Sequence, residues 1–171
     1  MTKTEEISRL QEAFTAVENA AANFPKERFS QRPENGKWSV AENIEHLLLT
    51  SKAVASLLGK PEFMLEKWGR HRADTLPYET WLANYEHKLQ NTNLTTNPMA
   101  PQDFPSREIL LENLRATHQK FLERATDMTE EELDTYQIPH PLLGLLNCRE
   151  FIYFTTFHEL HHLKAIQRLL D

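Results

Sequence analysis

A single cysteine, Cys148, occurs among the 171 residues. One thiol excludes an intramolecular disulfide and makes a reducing compartment the simpler setting. Glycine is scarce, at four residues, which argues against a turn-rich β architecture. Basic charge is in deficit: 19 Lys and Arg face 25 Asp and Glu, for a formal charge of −6. A surface that neutralises phosphates needs the opposite balance, so nucleic-acid binding through bulk charge is excluded. No apolar run approaches membrane-spanning length, and Met1 leads into Thr-Lys-Thr-Glu-Glu rather than the apolar core of a signal peptide. These absences predict a cytoplasmic protein with neither a nucleic-acid nor a membrane partner. The length suits one domain over 1–171.

Helical signals are plentiful. Ile7, Leu10, Phe14, Val17 and Ala21 recur at helical spacing, predicting an amphipathic helix over 4–23 that Phe24-Pro25 ends. Ser39 followed by Glu42 fits a capping box opening a second helix, which Gly59 and Pro61 stop near Leu58. Residues 78–90 form another helix around Trp81, Leu82 and Tyr85, and the proline-bearing stretch 91–105 reads as loop. A long helix runs from Ser106 to about Met128, with Ile109, Leu110, Leu114, Phe121 and Leu122 as its core positions. Thr129 and Glu132 fit a further capping box for one short turn. His140-Pro141-Leu142-Leu143-Gly144 reads as a loop of fixed shape, and Asn147 with Glu150 caps a final helix reaching Leu169. Four main helices with a helical and loop insertion between the second and third predict an all-α four-helix bundle.

The last helix carries His158-Glu159-Leu160-His161-His162. Four residues of helix rotate a side chain by only about 40° and raise it about 6 Å, so His158 and His162 share a face and can ligate one metal ion. That face also holds Phe151, Thr155, Ala165 and Leu169. It should point inward, where unpaired imidazoles are costly. A shared metal resolves the cost, and so do separate hydrogen bonds. His161 lies nearer the edge of this face, as a supporting or surface group. His71, His87 and His118 lack partners at ligand spacing and read as surface residues; His140 reads as structural. His158-Glu159-x-x-His162 also matches the zinc-protease pattern in which the glutamate is general base. The extended form of that pattern fails, with Ala165 and Arg168 in place of Gly and His. A third ligand must then come from upstream. His46, within the second helix, is the interior candidate, although alone it reads as a hydrogen-bonded core histidine.

Two segments resemble a known family. Trp38-Ser39-Val40-Ala41-Glu42-Asn43-Ile44-Glu45-His46-Leu47 is similar to the second-helix signature of the DinB-like superfamily. His140-Pro141-Leu142-Leu143-Gly144, followed by Phe157-His158-Glu159-Leu160-His161-His162-Leu163-Lys164-Ala165-Ile166, resembles its C-terminal signature. The resemblance implies a four-helix bundle in which His46, His158 and His162 bind a divalent ion: zinc, nickel, iron or manganese. Relatives include thiol S-transferases using bacillithiol or similar thiols and a mycothiol-dependent isomerase. It therefore implies a low-molecular-weight thiol as possible cofactor, a small-molecule electrophile as substrate, and a homodimer. Three readings follow: a metal-dependent thiol transferase, a metal hydrolase in which Glu159 is catalytic, and a non-enzymatic bundle. Cys148 reads as a small buried residue rather than a nucleophile. Trp38 is expected to anchor the entrance to the second helix, and Trp68, Trp81, Tyr78 and Tyr85 to line the mouth of the site.

Overall fold

The computed structural model describes residues 1–91, 99–101 and 104–170. Most of the expected 91–105 loop, residues 92–98 and 102–103, lies outside the described residues. Four long helices form the bundle: α1 (Lys3–Asn23), α2 (Val40–Leu58), α5 (Arg107–Asp127) and α7 (Cys148–Gln167). Between α2 and α5 lie α3 (Pro61–Trp68) and α4 (Tyr78–Asn91), and α6 (Glu130–Thr135) follows α5. Helix α1 packs chiefly on α7 and α2 chiefly on α5; α1 also meets α5 and α2 meets α7, which closes the ring. Among the described residues no helix is long and apolar enough to cross a membrane.

The helix starts follow local chemistry. Reciprocal capping boxes open α1 (Thr2 and Glu5), α2 (Ser39 and Glu42), α6 (Thr129 and Glu132) and α7 (Asn147 and Glu150), each satisfying two orphan backbone donors. Arg32 clamps the Glu42 box from outside through its guanidinium. The stripe Leu10, Phe14, Val17 and Ala21 on α1 is buried.

Helix α2 ends at Leu58 as expected, and Pro61 goes on to occupy the first turn of α3, where a missing N–H costs nothing. Two expectations needed correction. The apolar stripe of α5 is shifted: Ile109 is 49% exposed while Leu111 is buried beside Leu110 and Leu114. The fixed loop at 140–144 is the tip of a hairpin, β1 (Gln137–His140) paired antiparallel with β2 (Gly144–Asn147), with Ile138 opposite Leu146 and His140 opposite Gly144. Gly144 has φ +77°, which a side-chain-bearing residue adopts only with strain. Short strands of four residues are hidden from a period search.

The hairpin is pinned at the start of α7. Arg149 is buried and bonds Glu6 on α1 at 2.6 Å and Asp134 on α6 at 2.7 Å, while Tyr153 donates to Glu6 at 2.9 Å. Removing one partner of such a buried pair would leave an uncompensated charge. The anchoring places the hairpin tip over the middle of α7.

Candidate metal centre and adjoining cavity

His46 is the seventh residue of α2, and His158 and His162 lie in the second half of α7. The helices run antiparallel, with Asn43 meeting His162 and His46 meeting His158. The three histidines each offer one ring nitrogen, and these atoms lie within 4.8 Å of one another. Nε2 of His46 and Nε2 of His158 are 3.0 Å apart.

Two of the rings are oriented from behind. His46 Nδ1 lies 2.8 Å from the carbonyl oxygen of Met99, and His162 Nδ1 lies 2.7 Å from Oδ1 of Asn43. Both partners are acceptors, so both Nδ1 atoms carry the proton and both Nε2 atoms keep a free lone pair. The Asn43 amide is fixed in turn, its Nδ2 donating to the Ser39 carbonyl at 2.8 Å. Such outer hydrogen bonds select the tautomer in histidine-ligated metal sites. Trp38 lies over the pair, stacked on His162 at a centroid distance of 6.1 Å and 5.1 Å from His46. Phe154 stacks on His158 at 5.0 Å.

Electrostatics favour neutral rings. Burial holds the pKa of His46 below its ordinary value, and burial plus the neighbouring imidazoles hold His158 well below it and His162 down to about 3. A neutral imidazole with a free lone pair is the ligating form. The donor set therefore fits a divalent cation, and three imidazoles leave further coordination positions for a small molecule.

A cavity of about 380 Å³ opens onto His46 and His158. Val54, Leu57, Phe151, Phe154 and the hairpin residues Ile138 and Leu142 supply most of its wall. No carboxylate, lysine or arginine lines it among the described residues. Trp68 and Tyr85 line it, as expected of the insertion. Trp81 and Tyr78 do not; they pack on Tyr153, at 6.0 and 5.3 Å between ring centroids.

The remaining candidates separate clearly. Glu159 turns away from the three histidines, because one helical residue from His158 is a rotation of about 100°. It is fully buried, with Oε1 3.3 Å from Ser51 Oγ and 3.5 Å from His118 Nε2. That placement is against its use as a general base at the histidine centre. His118 is a core residue, 1% exposed, not a surface one. It stacks on Phe14 at 3.8 Å and meets Glu18 at 2.7 Å through Nδ1. His71 is half-buried and bonds Gln137 at 3.1 Å, while His87 and His161 are exposed. His140 is buried and lines the cavity. Cys148 is buried, and burial pushes its thiol up to about 12, so it stays protonated and is no nucleophile. Sequence reasoning missed Asn43 as the support of His162, although its place three residues before His46 put it on the same helical face.

The family model of the DinB superfamily matches residues 9–166. The chain belongs to the DinB superfamily. Solved structures with the DinB-like arrangement agree in fold. TT2238, a four-helix bundle protein, is 19% identical with a TM-score of 0.63, over 98% of this chain and 99% of that one. YfiT from Bacillus subtilis, described as a probable metal-dependent hydrolase with an unusual four-helix bundle topology, is 14% identical with a TM-score of 0.61, over 98% and 85%. An uncharacterised protein from Clostridium difficile 630 is 15% identical with a TM-score of 0.59, over 99% and 95%. No curated protein matches the chain.

Proposed function

We propose that this DinB superfamily member is a divalent-metal-dependent enzyme that joins a small thiol to an apolar electrophile. The observation that carries the reading is a set of three imidazoles, two of which, His46 and His158, open onto a largely apolar cavity that holds no carboxylate base among the described residues. A divalent ion held by His46, His158 and His162 would lower the pKa of a thiol or water beside it and so supply the nucleophile without a side-chain base. Each protein group then has a defined task. Asn43 and the Met99 carbonyl hold the protons of His162 and His46 on Nδ1 and keep the rings aimed. Trp38 and Phe154 wall off the imidazoles from solvent on two sides. The cavity orients an apolar substrate against the centre, and orientation is itself a large part of catalysis.

The likeness to YfiT, a probable metal-dependent hydrolase, favours a second reading in which water replaces the thiol. The placement of Glu159 speaks against its serving as base in that case. Elemental analysis of untagged protein comes first, comparing wild type with His158→Ala/His162→Ala. The reading predicts near-stoichiometric metal in the wild type and none in a folded double variant. Metal-loaded protein is then given a chloronitroaromatic electrophile and, separately, an aryl ester, each with and without small thiols. Thiol-dependent product formation supports the transferase, and thiol-independent ester cleavage supports the hydrolase. A wild type that takes up no zinc, nickel, manganese or iron(II) overturns both.

A further inference from the structure

The cavity wall contains few polar groups, and nearly all of them are already engaged. Thr50 donates its hydroxyl to the His46 carbonyl at 3.0 Å. His46 and His158 belong to the metal centre. What remains is His140 at the base of the hairpin tip, together with Tyr85 and the indole of Trp68.

The state of His140 follows from its hydrogen bonds. The backbone N–H groups of Leu142 and Leu143 both donate to its Nδ1, at 3.1 and 3.3 Å. An Nδ1 that accepts twice carries no proton, so the proton sits on Nε2. Burial, with a smaller contribution from Lys88, lowers the ring's pKa to about 4, so the neutral tautomer persists through the physiological range. The ring plane is fixed edge-to-face against Phe154 at 4.5 Å. The Nε2–H has no hydrogen-bond acceptor among the described residues, yet the residue lines the cavity beside His158. A donor held in one tautomer, on a pinned ring, in an otherwise apolar wall is a specificity element. A bound group that accepts from it gains a hydrogen bond, and one that cannot leaves a desolvated donor unpaired.

We infer that the cavity takes an uncharged molecule with an apolar, aryl-sized or branched-alkyl body and one carbonyl-type acceptor, which His140 Nε2–H binds while the reacting end faces His46 and His158. The volume of about 380 Å³ lies toward the small end of ligand pockets, roughly 300–1,000 Å³. The lack of lysine or arginine in the described lining argues against an anionic occupant. This inference rests on the metal-centre reading only for the direction in which the ligand points; the apolar body and the acceptor are read from the wall itself.

The test uses zinc-loaded protein and three probes of similar shape: acetophenone (neutral, one acceptor), ethylbenzene (no acceptor) and benzoate (anionic). Binding is followed by NMR, including the imidazole nitrogen resonances of His140. Acetophenone is expected to bind about three- to tenfold more tightly than ethylbenzene, the usual worth of one neutral hydrogen bond. It should move the His140 Nε2–H resonance where ethylbenzene does not, a readout that needs no variant. The preference should vanish in His140→Phe and persist in Tyr85→Phe. A preference unchanged in His140→Phe, or lost only in Tyr85→Phe, overturns the assignment to His140. Failure of both neutral probes to bind overturns the ligand class, as does tighter binding of benzoate that survives removal of zinc. Zinc content is measured on the same samples. A protein that binds no zinc but still prefers acetophenone through His140 refutes the metal reading while leaving this one standing.

Discussion

Two groups of buried histidine lie on different faces of α7, and they are built in opposite ways. In the centre formed by His46, His158 and His162, imidazoles face imidazoles, and among the described residues no carboxylate joins the cluster. Burial holds all three below the ordinary histidine range, and repulsion from neighbouring imidazoles adds to it at His158 and His162. On the α5 side, His118 lies between Glu18 at 2.7 Å and Glu159 at 3.5 Å. Burial pulls its pKa down, but the two carboxylates outweigh burial and raise it overall. The same side chain is therefore a neutral lone-pair donor in one place and half of an ion pair in the other. What distinguishes the ligand candidates from the structural histidine here is the charge of their neighbours.

The largest effect is expected at the three-histidine centre itself. Replacing His158 and His162 by Ala should abolish metal binding while leaving the helical far-UV spectrum intact, as read by elemental analysis and circular dichroism. If the variant keeps its metal, the centre is not where the imidazoles meet. On the other side, Glu159→Ala should leave metal content unchanged but lower stability by about 1–3 kcal/mol in denaturant titrations, because Ser51 Oγ and His118 Nε2 lose a buried partner while Glu18 still pairs with His118. Loss of metal with stability preserved would reverse the two roles.

Asn43→Ala sharpens the first half of the comparison. It removes the acceptor that orients His162, and zinc affinity measured by competition with a chelator should fall about 10- to 100-fold. A pH series sharpens the second. The folded pKa of His118 lies above its ordinary value of 6.5. Its contribution to stability is thus fully present below that value and is lost as pH rises through the raised folded pKa. The stability difference between wild type and His118→Gln should therefore shrink on going from pH 6 to pH 9; a difference that grows refutes the ion pair. The smallest effect is expected at His161, exposed on α7, where Ala should leave metal content unaltered and stability within about 0.5 kcal/mol.

Much of the bundle was legible because its signals are local. Ser39 with Glu42, Thr129 with Glu132 and Asn147 with Glu150 close capping boxes within four residues, and the structure shows all three. The stripe on α1 needs only the helical period. The hairpin was not legible, since its strands are only four residues long. The depth of His118 had a local signal, since it stands four residues after Leu114 and three before Phe121 on the apolar stripe of α5, but its partners did not: α1 supplies Glu18 and α7 supplies Glu159. The misplaced Ile109 has a tertiary cause. A helical stripe has two edges, and only the neighbouring helices decide which one is covered.

The sequence by itself determined the four long helices, the caps of α2, α6 and α7 and the placing of His158 and His162 on one face, because each is a signal that repeats or closes within a few residues. With the resemblance of its second helix and C-terminal segment to a known family, it also indicated His46 as the third ligand. Tertiary structure alone decided that Asn43 and Met99 set the tautomers, that Glu159 faces His118 rather than the metal centre, and that His140 presents a fixed donor to an apolar cavity. Each of these depends on what stands opposite a side chain from a distant part of the chain. Burial and neighbouring charge, which set protonation and hydrogen bonding, arise only when those distant parts pack together.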